Sequence, residues 1–173
     1  MASTQDNLMA AFAGESQARN KYTFYAQVAR KEGYHYIAKI FEETALNEMR
    51  HAKDEFRLAG KLGDTAANLR AAISGENHET TSMYPEFAAQ AQAEANKEAA
   101  ILFRMIARIE AEHRNRYAKV LEMVEKGTVY KRDQPIRWKC SVCGYIHEGT
   151  EPPGKCPCCQ HEREYFEPEN LEL

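Results

Sequence analysis

Glu48-Met49-Arg50-His51 and Glu110-Ala111-Glu112-His113 are two copies of a Glu-x-x-His unit, and they indicate the fold of the longer part of the chain. Residues three apart share one face of an α-helix, so the glutamate and the histidine of each unit can reach the same metal ion. Carboxylate oxygen and imidazole nitrogen suit iron or manganese. The two units therefore predict two helices that each contribute ligands to a metal site.

A single glutamate precedes each unit at nearly the same distance. Glu15 lies 33 residues before Glu48, and Glu76 lies 34 residues before Glu110. This regular spacing indicates a duplicated pair of helices. One Glu-x-x-His unit alone is common in helices and is compatible with surface glutamates and an ordinary core histidine. The whole duplicated set matches the ligand plan of di-iron and di-manganese four-helix proteins.

The segment up to about residue 127 is predicted to form four helices, because it is rich in Ala, Glu, Arg and Lys and its apolar residues recur every three or four positions. The helices should break at Gly33, at residues 60–64 and near Asn96, and Gly127 should end the last one. Pro85 falls inside the third helix, where it should cause a kink or an irregular turn. A glutamate interrupts the apolar stripe of each helix, and a buried carboxylate is costly unless it is paired or binds metal.

For other polar residues near these faces the spacing leaves two roles open. Glu79 lies one turn after Glu76, and the spacing is compatible with either a fifth carboxylate ligand or a solvated charge. Tyr22 and Tyr84 lie about two turns from the single glutamates, where they could donate a hydrogen bond to a ligand or simply pack in the core. Four further residues fall off the inward faces and are predicted to face solvent: Glu55, His78, Glu98 and Glu112.

All five cysteines lie in the last 34 residues. Cys140 and Cys143 form one Cys-x-x-Cys knuckle, and Cys156 and Cys159 form a second after twelve residues. Two such knuckles predict a tetrahedral site with four thiolates, which could hold zinc or iron. Iron would add one-electron chemistry. Cys158 is the odd thiol, since Cys156 with Cys159 repeats the spacing of the first knuckle.

Composition excludes several classes of protein. The chain has 173 residues, of which 43% are hydrophobic and 28% are charged, so it is not wholly disordered. With 23 basic against 26 acidic side chains, it has no bulk electrostatic basis for binding nucleic acid. No run approaches the ~18 apolar residues of a membrane helix, and residues 1–7 lack the features of a signal peptide. We therefore expect no nucleic-acid partner, no membrane insertion and a cytoplasmic location.

The chain as a whole resembles the rubrerythrin family, and the resemblance covers nearly its full length. The segments that carry it are AFAGESQAR at 11–19, GENHE at 75–79, MYP at 83–85, both Glu-x-x-His units and CSVCGY at 140–145. The resemblance implies a mainly α protein in which a ferritin-like di-iron four-helix bundle, residues 1–130, precedes a small rubredoxin-like β domain with an iron–tetracysteine site, residues 131–173.

The resemblance also assigns roles to individual residues. It implies that Glu48 and Glu110 bridge the two irons, and that one iron shifts between His51 and Glu79 as its redox state changes. Tyr22 and Tyr84 match tyrosines that line the di-iron pocket. The implied iron ligands are Glu15, Glu48, His51, Glu76, Glu79, Glu110 and His113 in the bundle, and Cys140, Cys143, Cys156 and Cys159 in the tail. Cys158 departs from the family pattern, in which the second knuckle has no additional cysteine.

The implied activity is reduction of hydrogen peroxide to water. The electrons would come from an external donor, rubredoxin or an NAD(P)H-dependent reductase, through the tail iron. An alternative is a ferroxidase that loads iron into a store, which would need a hollow multimeric shell. A second alternative, which is not an enzyme, is a zinc-knuckle interaction module fused to a helical bundle.

The short segment between the second and third helices bears on assembly. In a ferritin-like bundle, as the resemblance implies, these two helices run parallel, so the connection must cross the length of the bundle. The predicted second helix, residues 36–58, is ~34 Å long, whereas residues 59–64 reach at most ~20 Å. We therefore expect a homodimer in which the third and fourth helices are exchanged between chains. A simple up-down-up-down bundle is the alternative if the metal geometry departs from that of the family.

Overall fold

The computed structural model describes residues 2–170, and the part of the chain before residue 127 is helical. The helices, in chain order, are α1 (Thr4–Lys31), α2 (His35–Leu58), α3 (Thr65–His78), a π-helical turn (Glu79–Met83), α4 (Tyr84–Ala93) and α5 (Lys97–Lys126). The prediction of four helices is confirmed, because α3, the π turn and α4 follow one another without a break and form one long interrupted helix.

Local side-chain chemistry accounts for the helix ends. Ser3 and Asp6 form a capping box at the start of α1, with each side chain bonded to the backbone of the other. Asp64 caps α3 by accepting a hydrogen bond of 2.8 Å from a backbone N–H in the first turn. Gly127 ends α5 in the left-handed conformation, with a φ of 66°, which glycine adopts without steric cost.

The π turn ends at Met83, two residues before Pro85, where the sequence predicts an irregularity. The Tyr84 N–H donates to the carbonyl of Glu79, five residues earlier, instead of four as in an α-helix. Pro85 has no N–H to donate, and its ring conflicts with the carbonyl four residues before it. The wider turn accommodates one additional residue, and the helix then continues as α4.

The chain divides into two compact units, residues up to Gly63 and residues from Asp64 onward. In the first unit α1 and α2 form an antiparallel hairpin that has a seam of small residues. The buried residues of this hairpin in the described part of the chain are Ala26, Ala29, Ala38, Ala45, Ala52 and Ala59. Larger apolar side chains remain exposed on it, among them Phe24, Val28, Ile40 and Leu46.

The helices of the second unit likewise bury small residues and expose several large apolar ones. The residues of α4 and α5 that are fully buried are again alanines, Ala88, Ala91 and Ala100. Four large apolar residues of α5 are about half exposed, namely Ile101, Leu102, Met105 and Ile109. Each helical unit therefore packs closely through alanine and leaves several of its large apolar side chains exposed.

A small antiparallel sheet follows α5, with strand order β2-β1-β3. The strands are β1 (Ile136–Cys140), β2 (Ile146–Gly149) and β3 (Phe166–Pro168). Its core consists of Trp138, Cys140, Cys156 and Phe166. The Trp138 indole N–H is satisfied by the carbonyl of Gly149 at 2.9 Å. This is the small C-terminal domain that the sequence predicts.

Residues just before β1 are tied to this sheet. Tyr130 packs against the core of the sheet. The Arg132 N–H donates to the carbonyl of Thr150 at 2.8 Å, and its guanidinium lies 5.2 Å from the centroid of the Trp138 ring. Contacts with the sheet thus begin at Tyr130, beside the boundary between residues 130 and 131, which stays a prediction.

None of the helices that the structure describes is both long enough and apolar enough to cross a membrane.

Candidate metal centres

The α1–α2 unit brings together three of the predicted ligands, Glu15 from α1 with Glu48 and His51 from α2. The Nδ1 atom of His51 lies 2.9 Å from Oε2 of Glu48 and 3.7 Å from Oε2 of Glu15. One ligand atom from each residue lies within 4.8 Å of the other two. We call these residues the first triad.

The second unit contains a matching arrangement, the second triad, made by Glu76 of α3 with Glu110 and His113 of α5. The Nδ1 atom of His113 lies 2.7 Å from Oε2 of Glu110 and 3.8 Å from Oε2 of Glu76. Its ligand atoms also lie within 4.8 Å of one another. The repeat in the sequence is therefore a repeat in three dimensions, with two carboxylates and one imidazole in each unit.

The electrostatics of both triads favour a bound cation. The pKa of Glu15 is raised by its hydrogen bond with Glu48 and by loss of solvent. Burial raises the pKa of Glu76, and the neighbouring carboxylate of Glu110 raises it further. Oε2 of Glu76 is buried and has no hydrogen-bond partner. A metal ion would neutralise the facing carboxylates and bind the unpartnered oxygen, and the donor types suit iron or manganese.

Glu79 lies just outside the second triad, at the first residue of the π turn. It is half-buried, and its negative charge adds to the rise in the pKa of Glu76. Tyr84 is half-buried as well, and burial raises its pKa, with Glu79 and then Glu110 contributing. The structure thus places Glu79 and Tyr84 beside the ligands, as the spacing allows.

Each triad is accompanied by three packed aromatic rings that the sequence patterns did not single out as a set. The rings are Tyr22, Tyr25 and Phe41 in the first unit, and Tyr84, Phe87 and Phe103 in the second. Centroid separations are 6.2, 6.1 and 5.6 Å in the first set and 6.4, 6.1 and 5.6 Å in the second. Aligning the two halves of the sequence on their glutamates could have revealed these sets.

The π turn explains how the two aromatic sets remain equivalent. Tyr22 follows Glu15 by seven residues, whereas Tyr84 follows Glu76 by eight. In a regular α-helix the additional residue would rotate Tyr84 by about 100° away from the ligand face. The π turn absorbs that residue, so Tyr84 has ring neighbours at positions equivalent to those of Tyr22.

One of the four residues that were expected to face solvent does not do so. His78, Glu98 and Glu112 are exposed, as predicted. Glu55 is half-buried, and its Oε2 atom is buried without a hydrogen-bond partner, so that prediction is wrong. Helical spacing places the residue on the α2 face of Glu48 and His51, which precede it by seven and four residues, rather than on the opposite side.

The C-terminal domain brings four sulfur atoms together. The Sγ atoms of Cys140 and Cys159 are 3.7 Å apart, and those of Cys143 and Cys156 are 3.6 Å apart. All four lie within 4.8 Å of one another. Cys158 is exposed and lies outside this group. The geometry therefore favours the pairing of Cys156 with Cys159 in the second knuckle.

Backbone amides point at the sulfur atoms in the same pattern in both knuckles. Cys140 accepts from the amides of residues 142 and 143, and Cys156 accepts from those of residues 158 and 159. Burial of the Cys156 thiol opposes ionisation, but these amides and the neighbouring thiols outweigh it and lower the pKa of Cys156 to about 7. Amide hydrogen bonds of this kind stabilise thiolates around a bound metal.

Comparisons with known proteins relate the sequence of this chain to one family. The family model of rubrerythrin matches residues 6–121, and that of the rubredoxin-like domain of rubrerythrin matches residues 138–167. A rubrerythrin of Porphyromonas gingivalis is 49% identical, over 95% of this chain and 89% of its own. Rubrerythrin-1 of Clostridium acetobutylicum is 48% identical, over 95% of this chain and 93% of its own. A solved structure of nigerythrin in a mixed-valence state covers 97% of this chain and 87% of its own, with 34% identity and a TM-score of 0.38.

Fold and sites together define a protein with a ferritin-like helical domain and a rubredoxin-like domain, equipped with carboxylate–histidine sites and a tetracysteine site that suggest iron. The matches extend over both domains and over most of the chain. The chain belongs to the rubrerythrin family, a family of oxidoreductases.

The raised pKa of Glu76 predicts how the stability of the metal-free protein depends on pH. The folded state binds the proton of the Glu76 carboxyl more tightly than the unfolded chain does. Proton binding at Glu76 therefore stabilises the fold fully below the ordinary pKa of 4.5, and this stabilisation is lost as the pH rises through the raised pKa. Glu76→Gln keeps the neutral form at every pH. The variant should therefore unfold at a higher temperature than the wild type at about pH 7 and at a similar temperature at about pH 4, as measured by circular dichroism.

A control of opposite sign lies in the same unit. The hydrogen bond from Lys126 lowers the pKa of Glu122, so the stability that Glu122 contributes is present at neutral pH and is lost in acid. Glu122→Gln should accordingly lower the unfolding temperature slightly at about pH 7. If Glu76→Gln lowers it in the same way, the carboxylate is not destabilising in the metal-free protein.

The sulfur geometry predicts different effects for two neighbouring cysteines. Cys156→Ser should abolish or strongly shift the visible thiolate-to-iron absorption of the iron-loaded protein, because Cys156 lies within the sulfur group. Cys158→Ser should leave that absorption unchanged, because the side chain of Cys158 lies outside the group. If instead only Cys158→Ser loses the band, the metal ligand is Cys158 and not Cys156.

Proposed function

We propose that the protein is a peroxidase that reduces hydrogen peroxide to water and protects its cell against oxidative stress. The observation that carries this proposal is the presence in one chain of two kinds of site. The two triads have hard oxygen and nitrogen donors that suit oxygen chemistry, whereas the four sulfurs suit one-electron transfer. A tetracysteine site has no evident use in iron storage, so the same observation favours a peroxidase over a ferroxidase.

The proposed reaction takes up two electrons and two protons, breaks the O–O bond of hydrogen peroxide and releases two molecules of water. A pair of iron ions held by the two triads would supply one electron each and would polarise both oxygen atoms. Glu48 and Glu110 have the least exposed carboxylates of the triads, with 16% and 14% of their side chains exposed. They also lie nearest the imidazole of their own triads, at 2.9 and 2.7 Å, and we propose that these two carboxylates hold both ions together.

Residues beside the triads would orient the reactants and handle protons. Glu79 lies within electrostatic reach of Glu76 and Tyr84. Its proposed exchange with His51 on one ion follows from the resemblance, and it requires the first unit of one chain to face the second unit of another. Burial raises the pKa of Tyr84, so this residue keeps its phenolic proton and can donate a hydrogen bond. Tyr22 occupies the matching position in the aromatic set of the first unit.

Electrons would enter through the C-terminal domain. An iron ion held by Cys140, Cys143, Cys156 and Cys159 would transfer them one at a time. The donor is expected to be rubredoxin or an NAD(P)H-dependent reductase. Five unpaired thiols suit a reducing compartment, which supports a cytoplasmic location.

Substitution of a triad carboxylate should remove the activity selectively. Glu48→Ala should lower anaerobic peroxide reduction by at least about a hundredfold, because it removes a ligand needed to hold the metal ions. Glu43→Ala, an exposed position on the same helix, is the matched control and should retain wild-type turnover. The proposal fails if folded, iron-loaded Glu48→Ala reduces peroxide as fast as the wild type.

We further propose that the active form is a homodimer in which helices are exchanged. The helices of neither unit bury a large apolar side chain in the described part of the chain, and several such residues are about half exposed on each. Each unit also has only three ligands in its triad, whereas a di-metal site of this class takes a Glu-x-x-His unit from each of two helices and a Glu from each of two others. When an α1–α2 unit pairs with an α3–α5 unit, the exposed apolar side chains of each can be covered by the other, and the two triads together supply the ligands of one di-metal site.

The connection between the units supports pairing between chains rather than within one chain. Ferritin-like folds contain one long crossover connection. Here α2 has 24 residues, or ~36 Å, whereas residues 59–64 span at most ~20 Å. A connection of this length does not cross the bundle, but it can lead onward into the bundle of a second chain. Each site would then combine Glu15, Glu48 and His51 of one chain with Glu76, Glu79, Glu110 and His113 of the other.

Complementation distinguishes exchanged from unexchanged chains. Glu48→Ala/His51→Ala inactivates the first triad, and Glu110→Ala/His113→Ala inactivates the second, so neither variant should be active alone. When the two variants are coexpressed, an exchanged heterodimer contains one site with two intact triads, and part of the peroxidase activity should return. If differently tagged subunits copurify and no activity returns, the helices are not exchanged.

A further inference from the structure

Thr80 lies in the π turn, directly after Glu79, and carries a hydroxyl group that is buried without a partner. Its Oγ1 atom makes no hydrogen bond, a condition shared by two other side-chain atoms of the described residues, Oε2 of Glu55 and Oε2 of Glu76. A hydroxyl that is removed from water without a hydrogen bond costs free energy. Packing alone therefore gives no reason to place a hydroxyl at this position.

Three other threonines inside the helices satisfy their hydroxyl groups locally. Thr23, Thr44 and Thr81 each donate to the backbone carbonyl four residues earlier, at 2.9, 2.9 and 2.8 Å. Thr80 does not bond to the equivalent carbonyl, that of Glu76, which accepts a backbone N–H instead. The hydroxyl of Thr80 is therefore available for another acceptor.

Thr80 lies on the helix face that carries Glu76, a member of the second triad. It follows Glu76 by four residues, and side chains at this spacing are neighbours, with Cβ atoms about 5–6 Å apart. Because the Cα–Cβ bonds of a helix tilt toward its N-terminus, the side chain of Thr80 leans toward Glu76. An unpartnered hydroxyl and an unpartnered carboxylate oxygen thus lie in adjacent turns of one face.

The carboxylate of Glu76 can accept this hydroxyl while it binds a metal ion. Its Oε2 atom lies 3.8 Å from Nδ1 of His113 and has no hydrogen-bond partner, which suits it to an ion held between the two residues. A carboxylate has about four lone pairs, so it can bind an ion and still accept a hydrogen bond. Rotation about one side-chain bond turns the Thr80 hydroxyl between staggered positions and toward this carboxylate. Carboxylates that bind metal are themselves hydrogen-bonded as a rule, and such bonds fix their orientation.

The first unit has no hydroxyl at the matching position. Four residues after Glu15, α1 carries Arg19, which is exposed. The two single glutamates therefore differ in their surroundings, although their triads have the same composition. Any effect of the Thr80 hydroxyl on metal binding should thus be confined to the ion at the second triad.

We propose that Thr80 is a positioning residue of the second triad, and that its hydroxyl donates a hydrogen bond to the carboxylate of Glu76 when Glu76 binds a divalent metal ion. The bond holds the carboxylate in the orientation in which it meets the ion beside His113. This inference rests on the di-metal site of the proposed function, and it adds to that site a residue that orients a ligand without binding the metal.

Cobalt binding to the full-length, metal-free protein tests this role without any use of peroxidase activity. Co²⁺ ions at the triads are followed by their weak d–d absorption, and ions at the tetracysteine site are followed separately by thiolate charge-transfer bands. Thr80→Val replaces the hydroxyl with a methyl group of similar size, and Thr80→Ser retains the hydroxyl. Thr81→Val is the matched control, because Thr81 is exposed and its hydroxyl bonds to the carbonyl of Asn77.

Thr80→Val should weaken the binding of one of the two triad-bound Co²⁺ ions by at least about tenfold, the range found when a group that orients a metal ligand is lost. The same substitution should raise the unfolding temperature of the metal-free protein, because it removes an unsatisfied buried hydroxyl. A purely structural role would not move these two quantities in opposite directions. Thr80→Ser and Thr81→Val should match the wild type in Co²⁺ affinity, as should the thiolate bands of every variant.

Wild-type Co²⁺ affinity in Thr80→Val would overturn the inference. Equal weakening in Thr80→Ser would overturn it as well, because the hydroxyl would then not be the group that acts. If Thr80→Val does not fold, Thr80→Ala removes the hydroxyl with a smaller side chain and should show the same loss of affinity. In each negative case the proposed function stands, and only the role of Thr80 falls, as long as the wild-type protein binds two Co²⁺ per chain at the triads and reduces peroxide. If the wild-type triads bind no metal, the di-metal function fails and this inference fails with it.

Discussion

Each helical unit of this protein is built around one histidine and two glutamates, and the two glutamate carboxylates repel each other. In each unit an imidazole Nδ1 lies within 3.8 Å of two glutamate oxygens. Without a cation these charges oppose burial, as the raised pKa values of Glu15 and Glu76 show. Close helix packing through alanine brings the charges together, so the fold supplies a site that metal completes.

Because the helix pair is duplicated, each unit has one such arrangement, and the two copies differ in the spacing of their residues. Triad and aromatic geometry are retained in both units, although the spacing along α3 and α4 is one residue longer than along α1. The π turn absorbs the difference and begins at Glu79, the additional carboxylate of the second unit. π turns are frequent at functional sites because they change what one turn of a helix presents while leaving the rest in register.

The C-terminal domain follows a different physical rule. Its core is too small to be stabilised by apolar burial alone, with Trp138 and Phe166 as its large buried side chains among the described residues. Four converging thiols and the amides that point at them form the centre of the domain. A bound metal would thus serve both its stability and its chemistry. Arg132, above the ring of Trp138, ties the segment after α5 to this domain.

Patterns between residues that are close in the chain determined the helices, the caps, the two Glu-x-x-His units and the four-cysteine spacing, because these features depend on helical periodicity and on short turns. Other features required the tertiary structure, because they depend on a facing element. Helical spacing puts Glu55 on the side of α2 that carries Glu48 and His51, but the burial of its Oε2 atom is visible only in the folded chain. The knuckle spacing already marks Cys158 as the odd thiol, and only the fold shows the other four sulfur atoms converging without it. The sequence already pairs Tyr22 with Tyr84, but only the tertiary structure shows the π turn that gives them equivalent ring neighbours despite a one-residue difference in spacing.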